Sequence, residues 1–96
     1  DQYLVENPFN TYFVKVKGKA MEQAGIYDGD VLVVDRSIAP KVGQTVLAEV
    51  NGEYMVRYLA EEGLLAANSS YPTLLFANIE QLAIIGVVTG SMRKFK

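Results

Sequence analysis

Short stretches of alternating or continuous apolar residues recur along the chain, separated by turn-forming residues. Residues 11–17 are rich in β-forming side chains and end in an alternation of apolar and polar residues, so the lysines are predicted to face outward and Phe13 or Val14 inward. Residues 31–34 are a run of branched and long apolar side chains, suited to a strand covered on both faces. Further strands are predicted at residues 44–50, 53–59, 64–67, 73–77 and 81–90.

Turn signals connect these stretches. Asn51 and Gly52 form the strongest hairpin signal, because both residues tolerate positive φ, and Asp28 with Gly29 forms another. Gly86 interrupts the last apolar stretch and is predicted to mark a bend or a close approach. Strands at short spacing with turns between them predict an all-β fold, sandwich- or barrel-like, and 96 residues suffice for a single domain, residues 1–96.

The first ten residues are predicted to form an N-terminal arm or a helical turn packed by Tyr3, Leu4 and Val5. A helix is expected to stop at Asn7, because proline at position 8 disfavours the helical conformation of the residue before it.

Composition excludes several classes of function. The chain has no cysteine and no histidine, which excludes zinc sites built on those ligands and Ser-His-Asp catalysis, and no cofactor is predicted. The net charge is −2 and no basic face is visible, so direct binding of nucleic acid is not expected. No apolar run approaches the roughly 20 residues of a membrane span. The absence of cysteine is compatible with the cytoplasm, which is the expected location.

Residues 18–37 are the most distinctive segment. From the residues alone they predict a strand exit, a tight connection and a core strand. Their order also resembles the nucleophile segment of the LexA/UmuD family of self-cleaving serine peptidases. The resemblance implies the compact, mostly β fold of that family from about residue 8 onward. The matching positions are Gly18, Met21, Gly25, Ile26, Asp28, Gly29, Asp30 and Asp35.

The resemblance implies two catalytic positions, and both are substituted. The family's serine nucleophile falls at Ala20, and its neutral lysine base falls at Arg57, on the strand after the hairpin and 37 positions further on. Alanine has no nucleophilic atom, and a guanidinium stays protonated at ordinary pH. The chain is therefore predicted to be an inactive pseudo-peptidase. Ala20 is either a natural loss or an introduced replacement of serine; Arg57 favours the natural loss.

Other candidate groups have ordinary structural explanations. The serines are expected to be solvated turn residues, and the lysines are expected to be strand-face residues. Asp28, Asp30 and Asp35 suggest an acidic metal site, but two of them flank a turn glycine, and capping of turn amides is the expected role.

Two functions follow from the resemblance. The first is a UmuD-like protein of the SOS response to DNA damage, which forms a homodimer, meets the RecA filament and serves a UmuC-type error-prone DNA polymerase in translesion synthesis. The alternative is the C-terminal dimerisation domain of a LexA-type or phage repressor. Active members cleave their own chain upstream of the serine after RecA stimulation. That cleavage segment is not found in residues 1–96, so a truncated or processed form is expected.

Overall fold

A computed structural model describes the backbone of residues 4–7 and residues 10–92 in full. Eight strands and two short 3₁₀ helices follow one another along it. The strands are β1 Leu4–Asn7, β2 Thr11–Lys15, β3 Val31–Asp35, β4 Thr45–Val50, β5 Glu53–Leu59, β6 Gly63–Leu65, β7 Leu74–Leu75 and β8 Leu82–Met92, and the 3₁₀ helices are Glu22–Ala24 and Phe76–Asn78.

All strand pairs are antiparallel and belong to one sheet, in the order β1-β2-β3-β8-β4-β5-β6-β7. The predicted all-β class is confirmed. In the described part of the chain, no helix is long and apolar enough to cross a bilayer.

The hairpin between β4 and β5 forms as predicted. Asn51 and Gly52 have φ values of 48° and 88°, and the strands pair from Val50 opposite Glu53 onward. This register places Arg57 opposite Val46. Because the turn residues carry the positive φ angles themselves, the local sequence is sufficient to define this pairing.

Strand β8 lies in the middle of the sheet, between β3 and β4. Its pairing shifts register against both neighbours, between Val33 and Val34 of β3 and between Leu47 and Ala48 of β4. Gly86 is the predicted point of close approach: a Cβ there would lie 2.7 Å from the Asp35 carbonyl oxygen. The backbone of β8 thus passes the end of β3 at a distance that only glycine permits.

Two groups of buried side chains lie on opposite faces of β4. Leu47 packs with Val14, Val16, Met21, Leu32, Val34, Val56 and Ala67 on one face. Val46, Ala48 and Val50 pack with Leu64 and Val87 on the other. Strand β4 is therefore covered on both faces. In β3 the burial alternates instead: Leu32 and Val34 are fully buried but Val31 and Val33 only half-buried, so the cover predicted on both faces of residues 31–34 is incomplete.

The N-terminal segment and two short stretches differ from the prediction. Residues 4–7 form a strand paired with β2, so the alternative of a helical turn is wrong; Tyr3 lies outside the described residues. Residues 64–67 and 73–77 were expected to be extended, but β6 ends at Leu65 and β7 is followed at once by the second 3₁₀ helix. Pairing with distant strands decides these cases, and local propensity does not contain that information.

Candidate functional site

The connection between β2 and β3 carries Ala20 on a loop that the backbone closes on itself. The Val16 N–H donates to the Asp30 carbonyl over 2.8 Å, and the Gly29 N–H donates to the Val16 carbonyl over 2.8 Å. Gly18 has a φ of +93°, which turns the chain out of the strand. Met21 is 2% exposed and anchors the loop in the core. Ala20 is thereby held beside a buried residue at the start of a tight turn.

The three aspartates of this segment bind turn amides, as predicted. Asp28 accepts from the Gly18 N–H at 2.7 Å, and Asp30, itself buried, accepts from the Tyr27 N–H at 2.9 Å. Asp35 accepts from the hydroxyl of Ser37 at 2.6 Å and from its N–H at 2.8 Å. These two bonds, the hydroxyl first, lower the pKa of the Asp35 carboxyl. Residues 10–92 contain no cluster of three or more metal-ligating side chains.

Arg57 is a half-buried cation on the face of β5. Its Nη1 donates to the carbonyl of the preceding Val56 at 2.8 Å, and its guanidinium carbon lies 5.8 Å from the centre of the Tyr71 ring. Its Nε is buried and has no hydrogen-bond acceptor among the described residues. Burial lowers the pKa of Arg57, because it disfavours the charged form, while Tyr71 opposes the shift.

Ala20 and Arg57 lie in the wall of one cleft of about 180 Å³. The two positions are 37 residues apart in the chain, and the fold brings them to the same cavity. Besides Ala20, four apolar residues belong to its lining: Val16, Met21, Met55 and Val56. The other lining residues are Lys17, Glu53, Tyr54 and Tyr71. Ala20 places no nucleophilic atom in this cleft. Arg57 provides hydrogen-bond donors and a positive charge instead of a base.

Sequence reasoning missed two contributors to the cleft. Lys17 is exposed, as expected, but it follows the end of β2 and lines the cavity. Tyr71 comes from the loop after β6, which is tied to the Ala20 loop by two hydrogen bonds of 2.8 Å, from Asn68 Nδ2 to the Lys19 carbonyl and from the Gln23 N–H to the Ala67 carbonyl. Neither contribution has a local signal, because each depends on contacts between distant segments.

Comparison with known proteins identifies the family. Residues 1–89 match the description Peptidase S24-like. The chain belongs to this family. The resemblance to LexA and UmuD proteins is thereby confirmed.

Three curated relatives illustrate the range of the match. The chain is 39% identical to Protein SamA of Salmonella typhimurium over 95 residues, covering 96% of this chain and 66% of SamA. It is 39% identical to Protein MucA of Escherichia coli over 95 residues, covering 95% of this chain and 65% of MucA. It is 34% identical to the LexA repressor of Bordetella pertussis over 86 residues, covering 85% of this chain and 40% of that repressor. The chain thus spans less than two thirds of the length of each of these three relatives.

Proposed function

We propose that this chain is a UmuD-like SOS-response protein that has lost self-cleavage and acts as a binding subunit of a UmuC-type, error-prone DNA polymerase. The observation that supports this most directly is the cleft, where Ala20 and Arg57 occupy the positions that the resemblance gives to a nucleophile and a base. Either substitution alone removes the reaction, since one lacks the attacking atom and the other cannot accept its proton. A domain that has lost the reaction acts by binding other proteins through its surface.

A repressor is the second candidate, and the match to the LexA repressor favours it. In that case the same domain supplies dimerisation to a DNA-binding unit elsewhere in the gene product. The two candidates differ in their partner: a polymerase in the first, and operator DNA, through another domain, in the second.

Affinity purification separates them. The tagged gene product, co-expressed with a UmuC-type polymerase from the same genome, is expected to retain the polymerase through washing at moderate salt, because the resemblance assigns this domain a protein partner. The control is an unrelated all-β domain with the same tag. Loss of the polymerase together with specific retention of operator DNA by the same gene product would replace the proposal with the repressor.

We also propose a homodimer. Both edges of β8 are occupied, by β3 and β4, so the interface is not expected at an edge of this strand. An apolar surface remains where Phe13 lies opposite Val33, and Val31 opposite Met92. Met92 is 53% exposed, and the other three are half-buried. Apolar surface of this kind favours association with a second copy.

Sedimentation velocity at roughly 50 µM is expected to give a dimer, since an interface of standard size holds at that concentration. Met92→Glu is expected to shift the protein to monomer, because it introduces a charge among these side chains. Leu75→Glu is the matched control, since Leu75 is 42% exposed in the short strand β7, away from this surface, and should leave the dimer intact. An unmodified chain that sediments as a monomer at this concentration would refute the dimer.

A further inference from the structure

We infer that the cleft around Arg57 is a binding site for the carboxylate of an extended peptide. This rests on the proposed function, in that the cleft carries out no chemistry of its own. The ligand class follows from the charge at position 57, from the part of the β5 edge that β6 leaves unpaired, and from the size of the cavity.

The first observation is the poor pairing of a half-buried cation. The Val56 carbonyl and the Tyr71 ring are the partners of Arg57 among the described residues. Its Nε–H is buried without an acceptor, although Glu53 lines the same cleft. Removing a guanidinium from water without a counter-charge is unfavourable. A bound carboxylate therefore offsets part of the desolvation free energy that burial of Arg57 costs in the folded protein. Arginine also presents its donors in a planar fork that suits a carboxylate.

The second observation is the edge of β5. Strand β4 pairs with all of β5, whereas β6 lies opposite only Tyr58 and Leu59. The Leu59 N–H donates to the Gln44 carbonyl at 2.9 Å, so alternate residues from Leu59 backwards direct their backbone groups toward β4. The backbone groups of Tyr54 and Val56 therefore point to the opposite side. Val56 is only 3% exposed and its carbonyl already accepts from Arg57 Nη1. The open part of this edge lies at Tyr54, which is 40% exposed and where an extended peptide can pair.

The third observation is the size and lining of the cavity. A volume of about 180 Å³ is below the roughly 300 Å³ at which sites for drug-sized ligands begin, so the site suits one side chain or a chain end. Tyr54 and Tyr71 are 40% and 38% exposed and offer aromatic contacts beside Arg57. Lys17 adds a second positive charge to the lining. The carboxylate comes either from an acidic side chain or from the end of a peptide, and both use the same donors.

Fluorescence polarisation with three labelled hexapeptides of alternating valine and serine tests this inference. One peptide ends in a free carboxylate, one in an amide, and one in an amide with glutamate as its fifth residue. We expect binding of the first, the third or both, at least tenfold tighter than the neutral amidated peptide. Preference for the first identifies a chain end, and preference for the third identifies a side chain.

Two variants that remove the same charge locate the site. Arg57→Gln is expected to weaken binding of the carboxylate peptide at least tenfold. Arg36→Gln is the matched control, since Arg36 lies over the ring of Tyr12, outside the cleft, and should leave binding unchanged. Addition of the carboxylate peptide to the unmodified protein is also expected to shift the NMR signal of the Arg57 Nε–H. Circular dichroism verifies that the Arg57→Gln variant is folded.

Several results would overturn the inference. They are equal binding of the neutral peptide, unchanged binding by Arg57→Gln, no binding of any peptide at millimolar concentration, and displacement of the peptide by an equal concentration of inorganic phosphate. The test is independent of the polymerase experiment. If the peptide binds but no polymerase is retained, the carboxylate site is supported and the proposed function is refuted. If the polymerase is retained but no peptide binds, the proposed function is supported and the carboxylate site is refuted.

Discussion

The double variant Ala20→Ser with Arg57→Lys is expected to become a reactive serine hydrolase, whereas the unmodified chain and both single variants stay inert. Intact-mass measurement after incubation with a fluorophosphonate probe detects the reaction, since an activated serine hydroxyl attacks the phosphorus and displaces fluoride. A general base contributes roughly 10²–10⁴ in rate. The double variant should therefore be labelled at least about 100-fold faster than Ala20→Ser alone.

The physical reason lies in the environment of position 57. Burial there lowers the pKa of the guanidinium, and the same desolvation acts on a lysine amine. The ordinary pKa of a lysine amine is about 10.4, so this desolvation lowers it toward neutral pH. The ordinary pKa of a guanidinium is too high for the same desolvation to remove its proton. Because the neutral amine is the active form, the labelling rate is expected to rise with pH and to level off above the lowered pKa, below about pH 10.

Self-cleavage provides the corresponding test in a gene product that includes a family cleavage segment. RecA filaments on single-stranded DNA are expected to stimulate cleavage of the double variant and to leave the chain with Ala20 and Arg57 intact. Labelling of Ala20→Ser alone as fast as the double variant, or its self-cleavage, would show that Arg57 is not at the base position. Cleavage of the unmodified chain would show that the nucleophile was misassigned.

Gly86→Ala is expected to cause a large loss of stability although it adds only a single methyl group. The added Cβ would lie 2.7 Å from the Asp35 carbonyl oxygen and 2.8 Å from Val34 Cγ1. The carbonyl is backbone in a strand paired with β8, so it cannot move without disturbing the ladder. Overpacking of a core typically costs 1–3 kcal/mol, and we expect at least about 2 kcal/mol here, or a fall in Tm on the order of 10 °C.

Gly90→Ala is the matched control on the same strand. No heavy atom lies within 4 Å of a Cβ built at that position, and Gly90 is not among the glycines with positive φ. Its substitution is expected to leave the free energy of unfolding within about 0.5 kcal/mol. Urea denaturation followed by circular dichroism measures both variants, and equal midpoints for Gly86→Ala and the unmodified chain would contradict the close approach of β8 to β3.

The sequence by itself determined the features that local physics controls. The positive φ angles available to Asn51 and Gly52 determine the hairpin. The pattern of residues 11–17 predicts that Phe13 or Val14 faces the core, and Val14 is the fully buried one. Motif order and spacing were enough to identify the family and to single out Ala20 and Arg57. Each of these features depends on residues close together in the chain, or on a motif that can be recognised from the order and spacing of its residues.

Only the tertiary structure decided the relations between distant segments. It placed β8 between β3 and β4, paired residues 4–7 with β2, and brought Lys17 and Tyr71 into the cleft of Ala20 and Arg57. The physical reason is that strand pairing and cavity lining depend on which surfaces meet after the chain has folded. A hydrophobic pattern specifies that a strand must be covered, but it does not specify which element covers it.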